Sequence, residues 1–101
     1  MPKMTFKLVF TEKAEAQLDA LENSKDKKIP LKAVRKILGL METNLRHPSL
    51  QTHEYSELSR ISGIKVFESY AQNGTAGAYR VFWHYGPKPR QITIVAVVPH
   101  P

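Results

Sequence analysis

The sequence contains no cysteine and no long apolar run. Without cysteine, the chain has no disulfide framework and no thiolate to act as a nucleophile or metal ligand. Its four histidines are dispersed and lack the paired spacings of zinc sites, so we expect no metal and no other cofactor. No apolar stretch approaches the roughly 20 residues of a membrane-spanning helix. Residues 1–5 lead into a strand-like pattern and not into an export signal, so the expected location is the cytoplasm.

Acidic residues are scarce relative to basic ones. The chain has 15 Lys or Arg against 9 Asp or Glu, a net charge of +6 and a pI of about 9.7. Residues 25–46 alone hold seven Lys or Arg and two acidic residues. This excess favours a polyanionic partner, nucleic acid or an acidic protein, because binding to phosphates releases condensed counterions. The alternative is that these charges form the solvated face of a helix.

A length of 101 residues predicts one domain, residues 1–101, with a single modest core. Phe6, Leu8 and Phe10 recur at a period of two, which predicts a first strand. Thr11 can cap a following helix, whose apolar stripe is Ala14, Leu18 and Leu21 and whose end is expected near Asn23-Ser24.

A second helix is predicted with Pro30 in its first turn. Its apolar residues recur at spacings of three and four: Leu31, Val34, Leu38, Met41 and Leu45. His47-Pro48 is expected to stop this helix, because the residue before proline is disfavoured in the helical region. Residues 47–63 are predicted to form a polar connection, with His53 to Tyr55 as rim contacts of the sheet.

Three further strands are predicted at residues 63–70, 78–85 and 91–98, separated by glycine-rich and proline-rich turns. The order βααβββ indicates an α+β fold, a small antiparallel sheet of about four strands with two helices packed on one face. We expect the other face of the sheet to be open.

Alternation assigns the side chains of the last strands to faces. Tyr79, Val81, Trp83 and Tyr85 are expected to meet the helices, and Arg80, Phe82 and His84 to lie on the open face. Glu68 and Tyr70, on the preceding strand, are predicted to share the open face with Arg80. Arg80 can then grip a phosphate, or it can be a structural arginine paired with Glu68 across the strands.

At these residues the chain resembles the RelE/ParE superfamily of toxins from bacterial type II toxin-antitoxin systems. Residues 64–70, Ile-Lys-Val-Phe-Glu-Ser-Tyr, are similar to the family's strand of the type Gly-Val-Trp-Glu-Leu-Arg. Residues 79–83, Tyr-Arg-Val-Phe-Trp, are similar to its Tyr-Arg-Val-x-Tyr strand. Residues 91–98 followed by Pro99-His100 resemble the closing strand and its short tail with a basic residue or histidine. The resemblance implies a RelE-like fold.

The resemblance also implies a metal-independent endoribonuclease, an mRNA interferase that acts on ribosome-bound mRNA. Arg80 inherits phosphate binding and transition-state stabilisation, and His100 inherits protonation of the leaving group. Glu68 or Tyr70 is the candidate general base, and His84 is the next candidate after them. These roles suit the chemistry, since charge builds on phosphate oxygens while the departing oxygen needs a proton.

Further RNA contacts are expected from exposed basic residues, namely Lys65, His84, Arg60 and Arg90. The implied partners are a cognate antitoxin protein, mRNA and the ribosome, with no membrane and no metal. Many active relatives carry a second cation where this chain has Glu68 and Tyr70, and many continue beyond the position of His100. Two alternatives therefore stay open: a ParE-like toxin that inhibits a topoisomerase, and a noncatalytic basic binding module on the same fold.

Overall fold

The structure is a computed structural model that describes residues 5–100. It is an α+β fold with a five-stranded sheet. The elements in chain order are β1 (Lys7–Phe10), α1 (Glu12–Glu22), α2 (Lys28–Thr43), a 3-10 helix (Pro48–Leu50), β2 (His53–Glu54), α3 (Ser56–Ser62), β3 (Phe67–Tyr70), β4 (Tyr79–Tyr85) and β5 (Gln91–Pro99).

The sheet is mixed, and its strand order is β1-β5-β4-β3-β2. β1 pairs with β5 in parallel, whereas the other three pairings are antiparallel. The predicted four-stranded antiparallel sheet is therefore wrong in strand number and in order. Two physical reasons account for the difference: β2 has only two residues, too few for a readable period, and alternation along β1 carries no information about its distant partner.

The first two helices begin and end close to the predicted positions. Thr11 is the N-cap of α1, because its Oγ1 accepts a hydrogen bond from the Ala14 N–H at 3.1 Å. α2 ends at Thr43, before the predicted stop at His47-Pro48. Leu45 therefore lies outside the helix, although it still packs against the core.

The core lies between these two helices and one face of the sheet. Trp83 and Val81 of β4 are fully buried there, in one cluster with Val34 and Met41 of α2 and Ile94 of β5. The predicted orientation of β4 toward the helices is confirmed for its buried residues. The Trp83 indole N–H donates to Ser69 Oγ of β3 at 2.9 Å, so its buried polar atom is satisfied.

The predicted polar connection, residues 47–63, is instead largely ordered into the 3-10 helix, β2 and α3. α3 is attached to the start of β3 through Ser59, whose Oγ accepts from the Val66 N–H at 2.8 Å. Gly63 ends α3 with φ 75°, a left-handed conformation that glycine adopts without a side-chain clash.

The second face of the sheet is not fully open, because this connection folds partly over it. The ring of Tyr55 packs edge-on against Phe82 of β4, with ring centroids 5.1 Å apart. Glu68, which was predicted to be accessible on this face, is only 3% exposed. Among the described residues, no helix has the length and apolar character needed to cross a membrane.

Candidate functional site

The strand register brings four side chains together on the sheet face opposite α1 and α2. Tyr70 lies directly across from Arg80, and His53 of β2 lies directly across from Glu68. Side chains of directly paired residues lie on the same face of a sheet. We call His53, Glu68, Tyr70 and Arg80 the Glu68 cluster. It contains three of the four predicted catalytic residues, together with one predicted rim residue.

Glu68 is the centre of this cluster and is almost completely buried. Its Oε2 accepts a hydrogen bond from Arg80 Nη1 at 2.8 Å, and its Oε1 lies 2.7 Å from His53 Nε2. Both carboxylate oxygens are thus engaged by a nitrogen of another side chain. The buried carboxylate can therefore orient His53 and Arg80 but has almost no surface of its own for contact with a ligand.

The Arg80 guanidinium lies between Glu68 and the ring of Tyr70, 4.1 Å from the ring centroid. This is a close cation–π contact. The Arg80 side chain is 17% exposed, and its Nε is buried without a hydrogen-bond partner within the described part of the chain. The ion pair with Glu68, which the sequence predicted as the structural alternative, is present. Arg80 also remains on the face away from α1 and α2, where a ligand can approach it.

His53 is the exposed member of the cluster, with 48% of its side chain accessible. Its Nδ1 lies 3.3 Å from the Gln51 carbonyl oxygen, longer than a typical strong hydrogen bond. In neutral His53 the short contact to Glu68 favours the tautomer with the proton on Nε2, because a carboxylate only accepts. The lone pair then resides on Nδ1, so the contact of Nδ1 with the Gln51 carbonyl oxygen is not a hydrogen bond in this tautomer. This is the arrangement of a histidine that a carboxylate holds ready for proton transfer.

Sequence reasoning placed His53 only at the rim of the sheet. Its partner is 15 positions later in the chain, and the two-residue strand that aligns them has no detectable period. No signal in the sequence identified this pair.

His100 lies on the same face by strand register, next to Arg80 but on the side away from His53. Arg80 pairs with Val98 of β5, and the His100 N–H donates to the Ala78 carbonyl at 2.7 Å, which extends the pairing by two residues. Because side chains alternate between the two faces, His100, two residues after Val98, lies on the same face as Arg80 and closer to the end of the sheet. The residue is exposed, so its ring is accessible to a ligand at that edge.

The predicted RNA-binding residues do not join the cluster. Arg60 is exposed in the last turn of α3, and Lys65 is exposed on the segment before β3. His84 is four positions from Arg80 along β4, roughly 13 Å at the usual rise per residue. Arg90 lies in the turn between β4 and β5, at the opposite end of the sheet from the Arg80–Val98 pair.

Within residues 5–100, no group of three His, Asp or Glu side chains is placed to hold a metal ion. The described side chains of the cluster offer one carboxylate, one guanidinium, one phenol and one imidazole. With His53 neutral their formal charges cancel, and with His53 protonated the cluster carries a charge of +1. With His53 neutral, the Arg80 guanidinium is the group of the cluster that attracts an anion such as a phosphate diester.

Comparison of the chain with protein-family models, with curated proteins and with solved structures found no match.

Proposed function

We propose that this chain binds single-stranded RNA and cleaves it at the Glu68 cluster, without a metal ion, as a RelE-like toxin. The observation that carries the proposal is the half-exposed His53 imidazole held 2.7 Å from the buried Glu68 carboxylate, whose other oxygen binds Arg80. An oriented imidazole beside a guanidinium suits proton transfer at a phosphodiester.

The reaction is an attack by the ribose 2′-hydroxyl on the adjacent phosphorus. His53 Nδ1 takes the 2′-hydroxyl proton as the bond from the 2′-oxygen to phosphorus forms. The bond from phosphorus to the 5′-oxygen breaks, and that oxygen takes a proton from water or from His100, which lies beyond Arg80 from His53. The products are a 2′,3′-cyclic phosphate and a free 5′-hydroxyl. Glu68 stabilises the imidazolium that forms on His53, in the manner of a carboxylate behind a catalytic histidine.

Arg80 stabilises the charge that builds on the phosphate oxygens. Its guanidinium is fixed by the Glu68 hydrogen bond and by the ring of Tyr70. A donor held in place before the reaction costs no reorganisation when charge develops, and for this reason such groups contribute strongly to rate. Tyr70 acts through this contact and is a positioning residue.

The resemblance to the RelE/ParE superfamily supplies the biological setting of the proposal. It supports ribosome-bound mRNA as the substrate and a cognate antitoxin as the inhibitor. The basic charge of the chain also favours a polyanionic substrate such as RNA. Residues 25–46 include exposed cations on α2 such as Lys32 and Lys36.

The direct test uses purified protein and an end-labelled, unstructured RNA in the presence of EDTA. We expect cleavage with cyclic-phosphate ends, and Arg80→Ala should be slower by about 10² or more, the scale for loss of one fixed charge-stabilising donor. Arg35→Ala is the matched control, because Arg35 is an exposed arginine of α2 that pairs with Glu22. An Arg80→Ala variant as fast as wild type removes Arg80 from the mechanism.

Expression in cells tests whether the chain acts as a toxin that blocks translation. Induced expression should arrest growth together with translation, and co-expression of the antitoxin should relieve the arrest. Continued translation in cells that contain the folded protein contradicts the proposal.

A second candidate is a noncatalytic function on the same fold, favoured by the Arg80–Glu68 ion pair. A guanidinium committed to a buried carboxylate stabilises the sheet and leaves less of its charge for a substrate. This candidate includes a ParE-like topoisomerase inhibitor and a basic binding module. It predicts no RNA cleavage, and in its ParE-like form it predicts growth arrest with altered DNA supercoiling while translation continues.

A further inference from the structure

A large cleft of the described chain lies on the helix side of the sheet, away from Glu68 and Arg80. It has a volume of about 1040 Å³ and opens between Phe6, the end of α2 with the segment that follows it, and the strands β3 and β4. Ligand sites in proteins occupy clefts of this size, with apolar walls and a few polar groups. None of the residues assigned above to RNA cleavage lines this cleft.

Four aromatic rings form its floor and walls: Phe6, Phe67, Trp83 and Tyr85. Phe67 stacks on Trp83 with centroids 4.8 Å apart, and Tyr85 packs edge-on against both. Tyr85 is 53% exposed, although its position is on the helix side of the sheet. A half-exposed aromatic ring that other rings hold in place is a surface on which a flat ligand can stack.

The rim of the cleft is polar and contains one positive charge. Arg46 is exposed on the segment that follows α2, and no carboxylate is among the lining residues. His47 adds a neutral donor. Its Nδ1 accepts a hydrogen bond from the Ser49 N–H at 3.1 Å, which places the ring proton on Nε2. Arg46 and His47 therefore offer donors for an anion or for the acceptor edge of a base.

We propose that this cleft binds one nucleotide unit of single-stranded RNA. The base stacks on Tyr85, and Arg46 contacts the attached phosphate. Aromatic stacking combined with a cation is the usual means by which proteins hold unpaired nucleotides. The charge of the rim complements a phosphate, and the floor complements a base of any sequence.

The cleft and the Glu68 cluster are joined at one edge of the sheet. Gln51 and Thr52 line the cleft, and the next residue, His53, belongs to the cluster on the other face. A single strand that passes over β2 can therefore occupy both sites. The assignment of the cleft to the cleaved RNA rests on the proposed function, whereas nucleotide binding in the cleft does not require cleavage.

Binding to an uncleavable strand tests the inference. The probe is a fluorescently labelled, 2′-O-methylated adenosine hexamer, and its anisotropy is measured over a range of salt concentrations. Tyr85→Ala should weaken binding at least about fivefold, the lower limit for loss of one stacked base. Arg46→Ala should lower the slope of log affinity against log salt by about 0.7, the value for one phosphate contact on a single strand.

Matched variants control for charge and folding. Lys13→Ala removes an exposed cation of α1 that does not line the cleft, and Ile29→Ala removes an exposed apolar side chain; both should bind like wild type. Tyr85→Phe keeps the ring and should also bind like wild type, which separates stacking from the hydroxyl. A urea unfolding curve confirms that each variant is folded.

The outcomes separate this inference from the proposed function. Cleft variants that bind the hexamer as tightly as wild type overturn the inference, whether or not the protein cleaves RNA. Free adenosine monophosphate that binds as tightly as the hexamer also overturns it, because the cleft is then a small-molecule site. Weakened binding by the cleft variants supports the inference, even for a wild-type protein without cleavage activity.

Discussion

Replacing Glu68 by Gln tests the centre of the candidate site through stability. The substitution keeps the size of the side chain and removes its charge. Glu68 is 3% exposed, and its ionic partner Arg80 is 17% exposed. The guanidinium therefore loses its counter-charge in a largely buried position, where an unpaired charge is costly.

The expected loss is about 2 to 3 kcal/mol in the free energy of unfolding. Removing one partner from a buried ion pair typically costs 3–5 kcal/mol. Two features of the site reduce that cost here. The contact of Arg80 with Tyr70 remains, at about 0.5–1 kcal/mol or more, and the amide oxygen of Gln can still accept a hydrogen bond from His53 Nε2 or Arg80.

Urea unfolding of four proteins measures the interaction energy between Glu68 and Arg80. The four are wild type, Glu68→Gln, Arg80→Met and the double variant. Glu68→Gln leaves the Arg80 guanidinium without its counter-charge, and Arg80→Met leaves the buried Glu68 carboxylate with only His53 beside it, whereas the double variant removes both charges. We expect the double variant to cost less than the sum of the singles by at least about 1.5 kcal/mol, within the range for directly interacting residues. The slope against urea should be unchanged, which shows that the unfolded states are comparable.

An additive cycle would refute the reasoning. If Glu68→Gln costs less than about 0.5 kcal/mol and the double variant equals the sum of the singles, the ion pair does not form in solution. The carboxylate would then be free to serve as the general base itself, and the proposal that Glu68 positions His53 and Arg80 would be wrong.

Three further substitutions each remove one side-chain hydrogen bond that stabilises the fold around the site. Ser69→Ala should cost about 1–3 kcal/mol by urea unfolding, because the buried Trp83 indole N–H loses its acceptor; an unchanged midpoint contradicts this. Ser59→Ala should cost about 1 kcal/mol because α3 loses its hydrogen bond to Val66, and amide exchange in residues 56–62 should become faster while exchange in α2 is unchanged. Equal exchange of residues 56–62 in the variant and in wild type counts against this. Thr11→Ala should cost about 1 kcal/mol through loss of the α1 cap, whereas Thr11→Ser should be close to wild type; equal losses for Ala and Ser would rule out the cap.

The fold was predictable where a period was long enough to read. Seven residues of β4 alternate, and alternation correctly assigned Trp83 to the core and Arg80 to the other face. Because Glu68 shares that face, the Arg80–Glu68 pair was also within reach of sequence reasoning. The parallel pairing of β1 with β5 was not, since it joins segments more than 80 residues apart and leaves no local pattern.

The site was predictable only in part, for a similar reason. Arg80, Glu68 and Tyr70 lie on adjacent strands joined by one loop, so their proximity follows from a hairpin. His53 joins them through a two-residue strand in a segment that reads as a polar connection. The cleft was missed because four separate segments supply its aromatic rings and its rim, and no single stretch of sequence shows both.

Cleavage of unstructured RNA by wild type and His53→Gln is the most direct measurement of the central claim. Gln keeps a hydrogen bond to Glu68 but cannot shuttle a proton. We expect cleavage by wild type in EDTA and a loss of about 10² to 10⁴ in the His53→Gln variant, the usual contribution of a general acid or base. A folded His53→Gln variant that cleaves at the wild-type rate, or a wild-type protein that leaves the RNA intact, would contradict it.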